Sequence, residues 1–282
     1  MEIVNLGSME WGENLVPHRQ GNMAHKRIFD GVEMSPDNFS LVLARESADY
    51  YSPPHRHNFD QVRYCLEGRV PIGKTLGIDA GEVAYFPEGV VYGPQEGGPD
   101  RIVLVLQFGG ASGQGYMSVE QTRCGREELM TQGRFDGGVF HRESGTGRKS
   151  QDAYAAIWQH VFGRDVEYPT PRYKTPIVMR PEGFAWRGID GARGVRRKVL
   201  GIFPERGLSV ELIAIDAAAS WTLGASADRR LVFVRAGEGT CGGQPYHPHS
   251  AVRLEPAEQT TFAAAQPTEV LVIGMAGVGC YS

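Results

Sequence analysis

Pro54-His55-Arg56-His57-Asn58-Phe59-Asp60-Gln61, followed seven residues later by Gly68, is the stretch of sequence that decides the fold. If this segment is a β-strand, the two histidines share one face, because successive strand side chains alternate between faces. Gln61 has the same parity and joins them. Two imidazoles on one rigid wall are half of a typical metal site. An amide, however, stands where a carboxylate ligand would be expected.

The composition is that of a globular protein built mostly from short strands and turns. The 282 residues are 41% hydrophobic and 22% charged, with 37 glycines and 17 prolines, and few segments have helical periodicity. The formal net charge is −4. The only basic cluster is Arg193–Lys198, which is typical of a solvated strand or turn, so we expect no nucleic-acid partner.

The sequence predicts a cytoplasmic protein without a membrane partner. No apolar run approaches the roughly 18 residues that span a bilayer, and the first twelve residues lack the basic start and apolar core of a secretion signal. Four cysteines, at positions 65, 124, 241 and 280, are widely separated and form no CxxC pair. This spacing is typical of reduced thiols.

The chain repeats itself at an offset of 169 residues. Residues 38–43 match residues 207–212, the strand that ends at Gly68 matches the one that ends at Gly237, and Pro87 matches Pro256. Several landmarks in one register indicate two copies of a single β-rich unit.

A different segment separates the copies. Residues 119–132 and 151–161 have apolar residues at helical spacing, and Ser118 with Gln121 forms a plausible capping box. Residues 134–149 are rich in glycine and charge and predict a loop. His141 and His160 lie in this segment with no partner at ligand spacing, so we expect both to be structural.

The histidine stretch resembles the first motif of the cupin superfamily, G-x5-H-x-H-x3,4-E-x6-G. The second motif, G-x5-P-x-G-x2-H-x3-N, is matched by Gly81, Pro87, Gly89 and Tyr92 at the same spacing. The resemblance implies a mainly β bicupin with two tandem RmlC-like barrels, which are jelly-roll-like double-stranded β-helices. The expected division is an N-terminal barrel over residues 1–117, a partly helical linker over 118–180 and a degenerate C-terminal barrel over 181–282.

The same resemblance implies a metal site with altered ligands. The ligand positions hold His55, His57, Gln61 in place of the acidic residue and Tyr92 in place of the third histidine, while Asp49 replaces a turn glycine. The expected cofactor is a divalent transition metal (Fe, Mn, Ni or Zn), unless the substitutions have cost the site its affinity. A phenol or amide oxygen is a weaker ligand than the residue it replaces.

In the second copy the offset puts poor ligands at the same positions: Gly224, Ser226, Arg230 and Thr261. We therefore expect no metal in the C-terminal barrel. His247 and His249 form a second HxH, but the register puts them in a turn, so we expect them at the surface.

Strand parity predicts which side chains face the interior of the first barrel. Phe59, Arg63 and Cys65 share the parity of Gln61, and one of Tyr85 and Phe86 should line the same pocket. A buried Arg63 needs an anionic partner, either a substrate carboxylate or an internal Asp or Glu. We take Arg63, Phe59 and Tyr85 as the candidate substrate-binding residues.

Three functions fit this site. The first is a metal-dependent, oxygenase-like enzyme acting on a small molecule, for which a carboxylate or an aromatic ring would suit the pocket. The second is a metal-optional isomerase, epimerase or lyase, with His55 as base and Tyr92 as acid. The third is a non-catalytic small-molecule binder. A symmetric homodimer is the default assembly.

Overall fold

The computed structural model describes residues 1–14, 21–96 and 98–276. Their contacts divide the chain into two compact units, each mainly β as predicted. The N-terminal unit is Trp11–Val178, and the C-terminal unit contains the residues from Met179 onward together with Met1–Glu10.

The N-terminal unit is built from antiparallel strands, numbered here along the whole chain. Its strands are β2 (Gly12–Asn14), β3 (Met23–Asp30), β4 (Phe39–Glu46), β5 (Tyr51–Ser52), β6 (Phe59–Glu67), β7 (Arg69–Pro71), β8 (Gly77–Asp79), β9 (Val83–Phe86), β10 (Gln95–Glu96), β11 (Arg101–Gly109), β12 (Gly133–Asp136), β13 (Val139–Arg142), β14 (Ser150–Asp152) and β15 (Ile177–Met179). The main sheet has the order β15-β9-β6-β11-β4-β3-β2, and β5–β10 and β7–β8 form two-stranded sheets.

Alternation along these strands fills the barrel with apolar side chains. Val42 and Ala44 of β4, Cys65 of β6, Phe86 of β9 and Val103 of β11 belong to one buried cluster. Burial of such apolar surface is the main stabilising contribution to a fold of this kind. Burial also raises the pKa of the Cys65 thiol to about 12, as expected for an inert core cysteine.

The segment that was expected to be a linker belongs to the N-terminal unit. It contains helix α1 (Val119–Leu129) and helix α2 (Ala153–Phe162). The capping box at the start of α1 is confirmed: the Ser118 hydroxyl accepts from the Gln121 amide, and the Gln121 side chain accepts from the Ser118 amide. Gly125 lets the two helices pack closely, since a Cβ there would lie 2.7 Å from Val161.

The glycine-rich stretch between the helices is not simply a loop. It pairs as a hairpin of β12 with β13, joined by Gly137 and Gly138 at φ of 55° and 83°. Two consecutive residues at positive φ are the requirement of a tight hairpin turn, which glycine meets without strain. The sequence pattern did not predict this hairpin, because a segment rich in glycine and charged residues is typical of a loop.

The C-terminal unit repeats the topology of the first. Its strands are β1 (Glu2–Asn5), β16 (Arg187–Ile189), β17 (Ala192–Phe203), β18 (Leu208–Ile215), β19 (Ser220–Leu223), β20 (Arg229–Ala236), β21 (Gly239–Cys241), β22 (Gln244–Tyr246), β23 (Ser250–Leu254), β24 (Thr260–Ala264) and β25 (Thr268–Met275). The main sheet has the order β1-β23-β20-β25-β18-β17-β16, which matches the order in the first unit strand for strand. The two-copy prediction therefore holds at the level of topology.

Two boundaries differ from the predicted division. The first residues of the chain leave the N-terminal unit, because β1 pairs with β23 in the register Glu2 to Arg253. The helical segment belongs to the first unit, because its contacts are made within that unit. Three short 3-10 helices complete the described elements, at Leu6–Ser8, Pro181–Gly183 and Pro204–Arg206.

Three of the four cysteines, Cys65, Cys124 and Cys241, are free thiols, and Cys280 lies outside the described residues. Within the described part of the chain, no helix is long and apolar enough to cross a membrane.

Candidate functional site

The histidine pair lies just before β6, held against the second motif. His55 forms an isolated antiparallel bridge with Tyr92: its amide donates to the Tyr92 carbonyl and its carbonyl accepts from the Tyr92 amide, both at 3.0 Å. His57 is fixed as well, since its carbonyl accepts from the Gly89 amide at 2.8 Å. The two sequence motifs therefore meet through backbone hydrogen bonds.

Both imidazoles converge on one phenol oxygen. The Nε2 atoms of His55 and His57 lie 3.0 Å and 2.9 Å from the hydroxyl oxygen of Tyr92. The Nδ1 atom of His55 lies 2.7 Å from the Pro53 carbonyl oxygen, which can only accept, so Nδ1 carries the proton. In the neutral ring the lone pair is then on Nε2, the tautomer that serves either a metal or a proton donor.

Arg63 completes this polar cluster. Its Nη2 donates to the Tyr92 hydroxyl oxygen at 2.8 Å, and its Nε and Nη2 donate to the Gln61 side-chain oxygen at 3.0 Å and 2.9 Å. The guanidinium also lies over the Phe86 ring, 4.7 Å from its centroid. Arg63 is only 7% exposed, yet none of these partners carries a negative charge.

These contacts separate the predicted ligands. His55, His57 and Tyr92 come together, whereas the Gln61 oxygen is turned toward Arg63 and accepts two hydrogen bonds there. Neither Gln61 nor Tyr92 is among the residues that line the cavity described next. Gln61 therefore occupies the sequence position of a ligand in the motif, but its side chain does not point toward the two histidines. The cause is Arg63, which lies two residues further along the same strand face.

A cavity of about 110 Å³ lies inside the N-terminal unit. Its lining includes the polar side chains His55, His57 and Arg63 and the predicted residue Phe59. Its mixed apolar and polar lining is typical of small-molecule sites. Of the predicted substrate-binding residues, Arg63 and Phe59 therefore face this cavity.

The helical segment closes part of the cavity, which the sequence did not reveal. Tyr116, Met117, Val119 and Thr122 line it from the start of α1, and Tyr154 lines it from the first turn of α2. The periodicity of these helices predicted an apolar face, but it could not indicate which surface that face covers. The adjacent capping box was the only local signal, since it fixes where α1 begins.

One carboxylate also lines the cavity, but it has its own cation. Glu46 forms a buried ion pair with Arg101, and the two side chains are 2% and 1% exposed. A buried pair of this kind is neutral as a unit. Glu46 is therefore not the partner of Arg63.

Tyr85 faces away from the cavity, which corrects its predicted role in substrate binding. The register of β6 with β9 pairs Gln61 with Phe86 and Val62 with Tyr85, so Phe86 points inward and Tyr85 outward. The Tyr85 hydroxyl donates to the Asp60 carboxylate at 2.7 Å. Both faces of β9 are buried, so the sequence has no alternation from which the parity could be read.

A buried charged cluster lies on this outer face. Arg172 contacts Asp60 at 3.1 Å and Glu88 at 2.8 Å, and it donates to the Tyr85 hydroxyl oxygen. Burial raises the pKa of Asp60 to about 6, although Arg172, Tyr85 and the Glu88 amide oppose the shift. The cluster ties the extended chain after α2 to the barrel, and the sequence pattern did not indicate it.

The side chains around the Tyr92 hydroxyl offer two imidazoles and one phenol to a divalent metal. No group of three or more His, Cys, Asp or Glu side chains in the described residues could hold an ion, so Tyr92 is the third of the predicted ligands that come together. Its oxygen lies 3.0 Å and 2.9 Å from the Nε2 atoms of His55 and His57, which are hydrogen-bond distances, and ligands about 2.0–2.1 Å from one ion would lie slightly further apart. Arg63 would stabilise the phenolate that coordination requires. His55, His57 and Tyr92 therefore fit a metal, and Gln61 does not contribute.

The C-terminal unit offers no comparable site among its described residues. The equivalent positions are Gly224, Ser226, Arg230 and Thr261, and the Arg230 guanidinium donates to the carbonyl oxygens of Gly224 and Glu258. Apolar side chains that include Trp221, Tyr246 and Phe262 pack the interior. His247 is exposed and His249, at φ of 67°, is half-buried against Phe233.

Several solved structures share this architecture at low sequence identity. A dioxygenase candidate from Nostoc punctiforme superimposes with a TM-score of 0.64 at 11% identity, covering 98% of this chain and 83% of that chain. Oxalate decarboxylase from Bacillus subtilis gives 0.58 at 12% identity, covering 98% and 76%. A protein from Geobacillus kaustophilus gives 0.57 at 10% identity, covering 99% and 96%.

These similarities establish the fold and leave the chemistry to the site. The Bacillus subtilis decarboxylase has been studied for its Mn(II) centres, which is a property of that protein. No protein-family model matches the chain, and no curated protein is significantly similar to it.

Proposed function

Because the chain has the two-barrel cupin fold, we propose that its N-terminal barrel is a metal-dependent, oxygenase-like enzyme site for a small anionic molecule. The observation that carries the proposal is the environment of Arg63. This buried cation lines the cavity, its hydrogen-bond partners are neutral, and it contacts the tyrosine on which both histidines converge.

The charge of Arg63 favours an anionic ligand. A buried charge without a counter-charge is costly, and a carboxylate placed beside it would offset that cost. The bonds to Gln61 and Tyr92 use Nε and Nη2 only, so Nη1 remains for a carboxylate oxygen. Charge-assisted hydrogen bonds of this type are roughly twice as strong as neutral ones. We therefore take a carboxylate of the substrate, rather than an internal Asp or Glu, as the anionic partner of Arg63.

Each residue of the cluster would have a separate role in such a reaction. His55, His57 and Tyr92 would hold the metal, which when bound supplies Lewis-acid and dioxygen chemistry. The Pro53 carbonyl holds His55 in the tautomer with a free Nε2 lone pair. Arg63 would position the carboxylate of the substrate, and Phe59 would pack against its apolar part. The helical segment would keep bulk water from the reacting atoms.

A second function is favoured by one specific observation. The Tyr92 hydroxyl has a full set of neighbours without any ion: it can donate to His55 Nε2 and accept from His57 Nε2 and Arg63 Nη2. In a metal-optional isomerase, epimerase or lyase, His55 would remove a proton beside the substrate carboxylate. Tyr92 would return a proton to the developing oxyanion, with Arg63 stabilising the charge.

Metal analysis of the purified protein separates these two functions. We expect protein from medium supplemented with iron, manganese, nickel and zinc to carry close to one ion per chain, and His55→Ala to lose it. His160→Ala is the matched control, because this exposed histidine pairs with Glu128 outside the cavity. A wild-type protein with well under one ion per chain would contradict the metal-dependent proposal and leave the proton-transfer function as the better one.

A further inference from the structure

We propose that the natural ligand of the N-terminal cavity is a monocarboxylate with an apolar body the size of a ring, and that the helical segment selects that body. The inference rests on the proposed function, since it assigns a substrate class to the same site. It depends on two walls of the cavity that differ in chemistry.

The polar wall accepts one anionic group and not two. Among the described residues that line the cavity, Arg63 is the only cation, and Glu46 is already paired with Arg101. With no metal bound, a second carboxylate on the ligand would lie in the cavity without a counter-charge. The desolvation cost of an unpaired charge therefore disfavours diacids in the metal-free protein.

Another part of the lining is aromatic, and its hydroxyl groups are already hydrogen-bonded. The Tyr116 hydroxyl donates to the Gln107 side-chain oxygen at 2.9 Å, and the Tyr154 hydroxyl donates to the Asn58 side-chain oxygen at 2.9 Å. Phe59 meets the Tyr116 ring edge to face, with centroids 5.1 Å apart. These rings therefore present apolar surface to the cavity, which suits an apolar or aromatic body.

The start of α1 sets the size of that body. Met117 and Val119 line the cavity on either side of Ser118, whose capping box fixes the first helical turn. Ser118 is held in addition by its bond to Glu33. A wall fixed in this way limits the ligand by shape, because close-packed side chains yield little to an oversized group.

The first test measures binding of four probes to the full-length wild-type protein by isothermal titration calorimetry. The probes are 3-phenylpropanoate, propanoate, 3-phenylpropanol and succinate, which vary the ring, the single charge and the second charge. We expect 3-phenylpropanoate to bind at least about tenfold more tightly than each of the other three, because only it uses both walls. Equal affinity for propanoate or succinate would overturn the substrate class but leave the anion site standing.

A variant then tests the role of the helical segment. Val119→Trp should weaken 3-phenylpropanoate at least about tenfold and leave the affinity for propanoate unchanged, since only the ring space is filled. Val32→Trp, at a position 61% exposed, is the matched control and should change neither affinity. If Val119→Trp left the ring-bearing probe unaffected, the helical segment would not select the ligand. If no anion bound to the wild-type protein, the proposed function itself would fail.

Discussion

At the scale of single residues, Arg63 links the departures from the motif. The positions that hold Gln61 and Tyr92 instead of the motif's acidic residue and histidine both accept hydrogen bonds from its guanidinium. A carboxylate at position 61 would pair with Arg63 and remove its need for an anionic ligand. The neutral amide keeps the guanidinium in place and leaves its charge uncompensated.

Replacing this guanidinium should abolish most of the anion binding. Arg63→Met keeps an unbranched apolar chain in the barrel but removes the donors, so we expect 3-phenylpropanoate to bind about 10- to 100-fold more weakly. Calorimetric titration measures the change. Arg45→Met, at an exposed position where the side chain lies over Trp11, should bind like the wild type. Unchanged affinity in Arg63→Met would show that another group holds the anion.

Asp60 gives the protein a pH dependence that is separate from the cavity. Its pKa is raised from 3.8 to about 6 by burial, so the folded state holds this proton more tightly than the unfolded state. The stability it confers is complete below pH about 4 and is lost as the pH rises through about 6. Arg172, Tyr85 and Glu88 are the groups that face it.

The difference in unfolding free energy between wild type and Asp60→Asn should therefore change with pH. We expect the wild type to lose up to about 3 kcal/mol relative to the variant between pH 4 and pH 6, measured by urea denaturation. Asp136→Asn, at an exposed carboxylate, should show no such relative change. A constant difference across this range would mean that burial does not raise the pKa of Asp60 above its ordinary value.

How far the site could be predicted also depends on particular residues. The motif spacing predicted that His55, His57 and Tyr92 lie together, and the structure brings them together because three backbone hydrogen bonds join the motifs. Parity also placed Phe59 and Arg63 inward. It could not place Tyr85, whose strand is buried on both faces, or the side chain of Gln61, whose direction depends on a neighbour.

At the scale of elements, Gly89 shows why the second motif needs its glycine. Its φ is 79°, and a Cβ there would lie 2.2 Å from the Pro169 carbonyl oxygen of the extended chain after α2. This clash is with backbone, which cannot move aside as a flexible side chain could. Gly98 also has positive φ, at 99°, but a Cβ there would meet nothing within 4 Å.

Comparing the two glycines separates the effect of backbone strain on stability from the effect of a steric clash. Gly89→Ala and Gly98→Ala both add backbone strain, but only Gly89→Ala also creates a clash. We therefore expect Gly89→Ala to lower the unfolding free energy by about 1–3 kcal/mol more than Gly98→Ala does. Chemical denaturation of both variants measures the difference. Equal losses would indicate that the extended chain shifts freely away from Gly89.

Helices α1 and α2 show what the sequence pattern could not predict. Periodicity located both helices, but it could not indicate that their first turns line the cavity, because that depends on packing distant in sequence. Phe59 in β6 contacts the Tyr116 ring just before α1, and these residues are too far apart in sequence for a local signal to reveal the contact.

At the scale of the whole molecule, the two copies have diverged in what fills them. The first has a cavity, whereas aromatic and aliphatic side chains pack the second. Phe262→Ala should therefore destabilise the protein by about 3–5 kcal/mol through an unfilled space in the C-terminal unit. Affinity for 3-phenylpropanoate should stay at the wild-type value in calorimetry on the folded protein. A large loss of affinity would indicate that the second copy takes part in binding.

The assembly remains a prediction from the sequence. We expect a symmetric homodimer, because two-fold dimers are the commonest homo-oligomers. Light scattering at micromolar concentration measures the mass directly, and a monomer mass would contradict the prediction.

The pairing of β1 with β23 has a consequence for biosynthesis. Residues 2–5 are translated about 250 residues before their partners at 250–253. The C-terminal barrel can therefore complete its main sheet only after β23 has been made, and β1 stays unpaired until then. Proteolytic removal of β1, or a fusion tag that prevents its pairing, would accordingly destabilise the C-terminal barrel.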